Sequence, residues 1–338
     1  MTRSSSRRQF VQGAALVGAA LPLSGRAQGP QGTGRGQRAR GAFACDANRV
    51  RFFNTGVREP VKLMVVGDTH LFLDDARGEP FTPFSGRMAR AYNTTKQFKT
   101  GMPTCPQECF EKTLALAKAG GADLLALVGD IFSFPSEAAV AWAHARLVES
   151  GVPFLYIAGN HDWHYEGMEG PAMALREEWT ERRLKPLYQG RPALMAAVDV
   201  KGVRFVAIDD STYEILPRQL AFFREQVASG LPLVLLMHIP LYAQGREVGF
   251  GCGHPRWGAQ SDKNWQIERR LKWPEAGHTE TTMAFRREVF AAPNVLGVFA
   301  GHTHQQSLDC VNGTPQFVTE ANATGAFLSA DFLSDAEA

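Results

Sequence analysis

Val61-Lys62-Leu63-Met64-Val65-Val66-Gly67-Asp68-Thr69-His70 is the stretch on which the reading of this chain turns. A short aliphatic run, Lys62–Val66, stops at a glycine and is followed at once by a carboxylate and an imidazole. A brief apolar run bounded by a turn residue reads as a buried strand. The same pattern recurs along the chain. Leu124–Val128 is followed by Gly129-Asp130, and Phe154–Ala158 by Gly159-Asn160-His161-Asp162. Leu233–Met237 is followed by His238, and Leu296–Ala300 by Gly301-His302-Thr303-His304. Four of these five strand ends place glycine just before the polar group. Glycine lets the backbone turn sharply and approach closely.

Working outward, Arg204–Ile208 reads as a further strand and Gln316–Thr319 as a closing one. Helical patterns fall between the strands at Cys109–Ala119, Glu137–Ser150, Pro217–Ser229 and Thr282–Ala291, with Pro217 well placed at a helix start. Such alternation predicts an α/β fold with central sheets covered by helices. In open α/β sheets, sites form beyond the carboxyl ends of strands, so the five polar ends should converge. Residues two apart on extended backbone share a side, which predicts that Asp68 and His70 act together, and likewise His302 and His304. Asp, His and Asn donors suit borderline divalent ions such as Mn, Fe or Zn, and the absence of cysteine argues against a structural zinc site. One histidine at a strand end is usually a packed residue. Five such ends in chain order are a pattern.

The ordered set Asp68-Thr69-His70, Gly129-Asp130, Gly159-Asn160-His161-Asp162, Met237-His238 and Gly301-His302-Thr303-His304 resembles the calcineurin-like metallophosphoesterase family, over about Lys62 to Leu308. The resemblance implies a four-layer α/β/β/α sandwich of two mixed β-sheets flanked by helices. It implies that Asp68, His70 and His304 hold one divalent metal ion, that Asn160, His238 and His302 hold a second, and that Asp130 bridges them. It implies hydrolysis of a phosphate ester by a metal-bridging hydroxide, since paired cations lower the pKa of water and clamp phosphoryl oxygens. His161 becomes the group that protonates the leaving oxygen. Many relatives continue the second motif as GDxxD or GDxxY, whereas Ser133 stands at the last position here. The missing tyrosine argues against the purple acid phosphatase branch. The missing acid leaves Asp162 as the carboxylate expected to hold His161, so the two are taken together as the catalytic pair.

The segment before the first motif reads differently. Residues 1–27 contain Arg7-Arg8, a modest apolar stretch from Phe10 to Leu23 and Gly25-Arg26-Ala27. Paired arginines before such a stretch mark a twin-arginine export signal, and about 14 mildly apolar residues fall short of the roughly 20 that span a membrane. The expected organisation is a signal peptide over 1–27, a linker and N-terminal extension over 28–60, and a phosphoesterase domain over 61–330. The expected location is periplasmic or secreted, with the twin-arginine machinery as an export partner. Of 36 basic residues against 34 acidic, four arginines lie within residues 1–27, leaving 32 against 34. That near-neutral body gives no electrostatic case for a stable nucleic-acid or membrane partner. The five cysteines (45, 105, 109, 252, 310) form no metal framework. In an oxidising compartment, Cys105 pairing with Cys109 and Cys252 with Cys310 are the options that sequence leaves open.

Two long segments, 71–106 and 241–280, follow directly from strand ends and should hang at the mouth of the site. The first carries Arg77, Arg87, Arg90 and Tyr92; the second carries His254, Arg256, Trp257, Lys263, Trp265, Arg269 and Trp273. Arginine grips phosphate and aromatic rings stack on substrates, but for each residue packing beneath the loop is the blander expectation. His164, His278, Asp209 and Asp210 read as supporting or loop residues. Besides a phosphomonoester or phosphodiester hydrolase acting on a small molecule, two alternatives stand. One is a non-catalytic metal- or phosphate-binding protein on the same fold; the other is an exported nuclease or nucleotide phosphodiesterase.

Overall fold

The computed structural model describes residues 41–54, 56–92, 94–261 and 276–334. The expected signal peptide, the glycine-rich linker up to residue 40, and Lys263, Trp265, Arg269 and Trp273 lie outside the described residues. Two six-stranded mixed sheets carry the fold. The first runs β1 (Ala42–Asp46), β2 (Arg49–Phe53), β14 (Leu328–Leu333), β3 (Val61–Val66), β6 (Leu124–Val128) and β7 (Phe154–Ile157). The second runs β12 (Ser307–Val311), β13 (Thr314–Val318), β11 (Val295–Ala300), β10 (Leu233–Leu236), β9 (Val203–Ile208) and β8 (Met195–Val200). A small ribbon pairs β4 (Thr95–Lys96) with β5 (Pro103–Thr104). In each sheet the strands that precede the polar motifs run parallel to one another, β3 with β6 and β7, and β10 with β11. Their carboxyl ends therefore open on the same edge.

Strand β3 shows why the layers form. Val61, Leu63 and Val65 belong to the core between the sheets, together with Phe205, Val234 and Phe299. Met64 and Val66 point the other way, into a core shared with Phe110 and Leu114 of helix α1 (Pro106–Ala119) and with Val140 and Leu147 of α2 (Glu137–Ser150). Both faces are buried, so the strand reads as a continuous apolar run instead of an alternating one. On the second sheet, Val206, Ile208, Leu233 and Leu235 pack under Leu220 and Phe223 of α4 (Pro217–Ala228) and Phe285 and Val289 of α5 (Glu280–Ala291). Helix α3 (Ala172–Trp179) lies between these in sequence and runs on through a π turn at Thr180–Leu184. The result is helix, sheet, sheet and helix in four layers, as expected.

Local chemistry sets the helix ends. The Ser136 side chain accepts the Ala139 N–H at the start of α2, and Gly151, with φ +70°, ends it. Pro217 occupies the first turn of α4, and the Gln219 side chain accepts the Leu216 N–H. Among the described residues no helix is long and apolar enough to cross a membrane.

Two expectations are corrected. Residues 42–53, assigned to an extension outside the domain, form β1 and β2, and β2 pairs in parallel with β14 near the far end of the chain. The five cysteines are all free. Cys252 is buried and Cys310 exposed, and the Cys109 thiol lies 3.3 Å from the Thr104 hydroxyl.

Candidate metal centre

Three of the five strand ends, those of β3, β6 and β11, deliver their side chains through an unusual backbone. Asp68, His70, Asp130, His302 and His304 all have positive φ, between 50° and 72°. The reading of Asp68-Thr69-His70 and His302-Thr303-His304 as extended segments is therefore wrong in detail. The pairs converge because both members are left-handed, not because they alternate along a strand. Left-handed backbone costs a non-glycine residue about 1–2 kcal/mol, and such residues gather where a functional geometry is over-determined by its surroundings.

Hydrogen bonds between the loops hold that geometry. Asp68 N–H donates to the Gly129 carbonyl at 3.0 Å, and His70 N–H to the Asp130 carbonyl at 2.9 Å. Gly301 N–H donates to the His238 carbonyl at 2.9 Å, and His302 N–H to the Asp68 carboxylate at 2.9 and 3.0 Å. Gly129, at φ +84°, has no room for a side chain: a Cβ there would lie 2.6 Å from the Gly159 nitrogen and 2.5 Å from the His238 ring. The glycines that preface the motifs are thus needed for closeness as well as for turning.

Two groups of donors result. Asp68, His70 and His304 bring their ligand atoms within 4.8 Å of one another, and so do Asp130, His238 and His302. Asn160 joins the second group, its Oδ1 lying 3.2 Å from His238 Nε2. The Asp130 carboxylate reaches His238 Nε2 at 3.2 Å and accepts the His161 N–H at 2.8 Å. His238 Nδ1 lies 2.8 Å from the Val128 carbonyl, to which it donates as Nδ1–H, so Nε2 is the nitrogen turned toward the Asp130 and Asn160 oxygens. In the first group His70 Nε2 faces His304 Nε2 at 2.9 Å. Oxygen and nitrogen donors gathered this closely, in two groups, fit two divalent ions.

The electrostatics agree. Burial disfavours a charged His238, yet Asp130 and Asp68 together push its pKa up to about 10. Burial also opposes ionisation of Asp130, but the surrounding imidazoles of His238, His161 and His70 hold its pKa well below the usual carboxylate range. His70 is driven down by burial and by His304. The pocket gathers negative charge behind the imidazoles.

Asp162 is held by backbone hydrogen bonds. Its Oδ1 accepts the Phe132 N–H at 2.8 Å and its Oδ2 the Gly159 N–H at 2.7 Å. It therefore braces the loop carrying Asp130 against the loop carrying Asn160, a positioning role. Burial, then Asp130, push its pKa up to about 7. Ser133, where relatives have an acid or tyrosine, donates its hydroxyl to the His70 carbonyl at 2.9 Å. His161 itself is half-buried, its ring 5.2 Å from that of His70 and perpendicular to it.

Asp209 and Asp210 prove to be supports. Asp209 forms a buried ion pair with Arg176, and Asp210 accepts the N–H groups of His238 and Ile239 at 3.1 Å. Sequence reasoning missed Tyr213, whose hydroxyl lies 3.0 Å from His302 Nε2. No motif flags it; only its place in the turn after β9, at φ +64°, hints at a constrained role.

The first long segment reaches the site. Tyr92 stacks flat on His70, ring centroids 4.1 Å apart at 9°, and meets His304 edge-on at 5.7 Å. Burial, with Asp130 and Asp68 acting on its phenol, raises its pKa. Arg87 is bound to Glu166, and Arg77 to Asp75 and Glu137. Trp257 is buried, stacked on His278 at 4.1 Å, so it packs beneath the loop.

Among solved structures, the chain is similar to a dimetal phosphatase from Danio rerio, at 11% identity over 80% of this chain and 91% of that one, with a TM-score of 0.49. It is similar to a purple acid phosphatase from yellow lupin seeds, at 15% identity over 82% of this chain and 46% of that one, TM-score 0.47. A phosphopantetheinyl hydrolase from Mycobacterium tuberculosis matches at 13% identity over 78% and 90%, TM-score 0.37. No curated protein matches the sequence. The family model for calcineurin-like phosphoesterases matches residues 61–306, a span that holds both donor groups and His161, and the chain belongs to that family of phosphoric ester hydrolases.

Proposed function

We propose that this enzyme hydrolyses small phosphate esters outside the cytoplasm, using two divalent cations held side by side. The observation that carries the reading is the pair of donor groups, each gathered within 4.8 Å. Asp68, His70 and His304 would hold one cation, Asn160, His238 and His302 the other, with Asp130 shared between them. Bound there, the two cations supply Lewis acidity and a nucleophile drawn from water at neutral pH. The protein's part is to fix the phosphoryl group and manage protons. His161, tethered through its N–H to Asp130 and half-open to solvent, protonates the leaving oxygen. Asp162 and Asp210 keep the ligand loops in register through their backbone hydrogen bonds.

Metal analysis of the purified protein, combined with turnover of p-nitrophenyl phosphate and its bis-ester, tests this. Two metal ions per chain are expected, with hydrolysis of at least one ester that is lost on chelation and restored by metal. A chain that holds two metals and cleaves neither ester would instead be a binding protein. The relative rates on the two esters assign the monoester or diester class. The export reading rests on Arg7-Arg8 and the apolar stretch after them. Replacing Arg7 and Arg8 with lysine should leave the protein in the cytoplasm, and unchanged export would exclude the twin-arginine route.

A further inference from the structure

Among the described residues of the 71–106 segment, Tyr92 is the aromatic side chain that packs on the metal-facing histidines, and none of the sequence motifs includes it. It lies flat on His70 at 4.1 Å and edge-on to His304 at 5.7 Å, so it covers the donor group of the first cation. It is only half-buried, so it also borders the open mouth.

The segment that carries Tyr92 is anchored on both sides. Before it, Arg87 Nε donates to Glu166 at 2.5 Å, tying the strap to the loop that follows His161. Met88 is buried in the core beneath the first sheet. After it, the Thr95 hydroxyl donates to the Ala323 carbonyl at 2.6 Å, and Phe98 N–H to the Thr324 carbonyl at 3.0 Å. A side chain fixed at both shoulders loses little freedom when it meets a ligand, which favours a binding role.

We propose that Tyr92 touches the substrate, donating its phenolic O–H to a non-bridging phosphoryl oxygen of an ester held at the Asp68–His70–His304 cation. This rests on the reading of the site as a two-metal phosphoesterase. The assignment follows from what surrounds the mouth. Arg87 and Arg77, two candidates for gripping phosphate on this segment, already have carboxylate partners in Glu166, Asp75 and Glu137. A neutral hydroxyl beside two cations adds a donor without adding repulsion to them. An O–H donated to a charged oxygen is stronger than a neutral pair, and it strengthens further as charge develops in the transition state.

The test compares Tyr92→Phe, which keeps the stack and removes the hydroxyl, with the wild-type holoenzyme. Binding of inorganic orthophosphate is read by calorimetry, metal content by elemental analysis, and turnover with p-nitrophenyl phosphate. Tyr92→Phe should retain two metals per chain, weaken orthophosphate binding and lower kcat, each by about 10- to 100-fold. Unchanged binding and turnover would reduce Tyr92 to a packing residue and overturn the proposal. Loss of a metal in Tyr92→Phe, or loss of a visible tyrosinate–iron absorption from the iron-loaded protein, would make Tyr92 a ligand and overturn it as well. The two readings fail separately. If the wild type binds orthophosphate through Tyr92 yet cleaves no ester, the hydrolytic assignment falls and the contact stands.

Discussion

Asp68, His70, Asp130 and His238, on the floor of the site, are 0–1% exposed, whereas Tyr92 and His161 on its rim are half-buried. The floor is made of strand ends that hydrogen-bond to one another through their backbones. The rim is made of longer excursions held by side chains such as Arg87 and Thr95. A residue on the floor cannot change without disturbing both sheets. A residue on the rim can change while the cations stay in place. The floor therefore fixes which chemistry is available, and the rim decides how fast it runs and on what.

Substitutions that separate metal holding from turnover put this contrast at risk. The largest effect is expected from Asp130→Ala, which removes the shared carboxylate: metal content should fall below two per chain and turnover should drop to background. Retention of both metals would break the assignment of Asp130 as the shared ligand. His161→Ala should leave the metals in place and cost about 10²–10⁴-fold in turnover of an alkyl phosphate ester, with a smaller loss on p-nitrophenyl phosphate, whose leaving group needs no proton. Equal losses on both esters would remove the acid role. Tyr213→Phe deletes the hydroxyl 3.0 Å from His302 Nε2, and metal affinity measured by competition with a chelator should weaken about 10- to 100-fold. The smallest effect belongs to Arg87→Ala. The partly exposed pair with Glu166 is worth at most about 1 kcal/mol, so a change in kcat of only a few-fold is expected, with no loss of metal.

The floor was the legible part. Leu124–Val128 is a strand with the limits its sequence suggests, because it is buried on both faces and reads as one apolar block. The polar motifs were legible for the same reason: each follows such a block without a gap. What could not be read was the left-handed backbone of Asp68, His70 and His302, since local propensity disfavours positive φ and only cross-strand hydrogen bonds impose it. Strands β1 and β2 were hidden for a different reason. Ala42–Asp46 is almost wholly exposed, and the pairing that orders Arg49 is with Ser329, which no local pattern announces. The bracing role of Asp162 was not legible, because its partners lie on another loop and across a turn. Its carboxylate is occupied by the N–H groups of Phe132 and Gly159.

The bond from His302 N–H to the Asp68 carboxylate joins residues 234 positions apart. During synthesis Asp68, His70, Asp130 and Asn160 all emerge well before His302 and His304, and until then the first donor group lacks a member. A nascent chain halted before residue 302 should therefore hold metal weakly, even with β3, β6 and β7 already made. Metal capture thus waits for the strand that ends in His302 and His304, and the finished site itself reports that both halves of the fold have met.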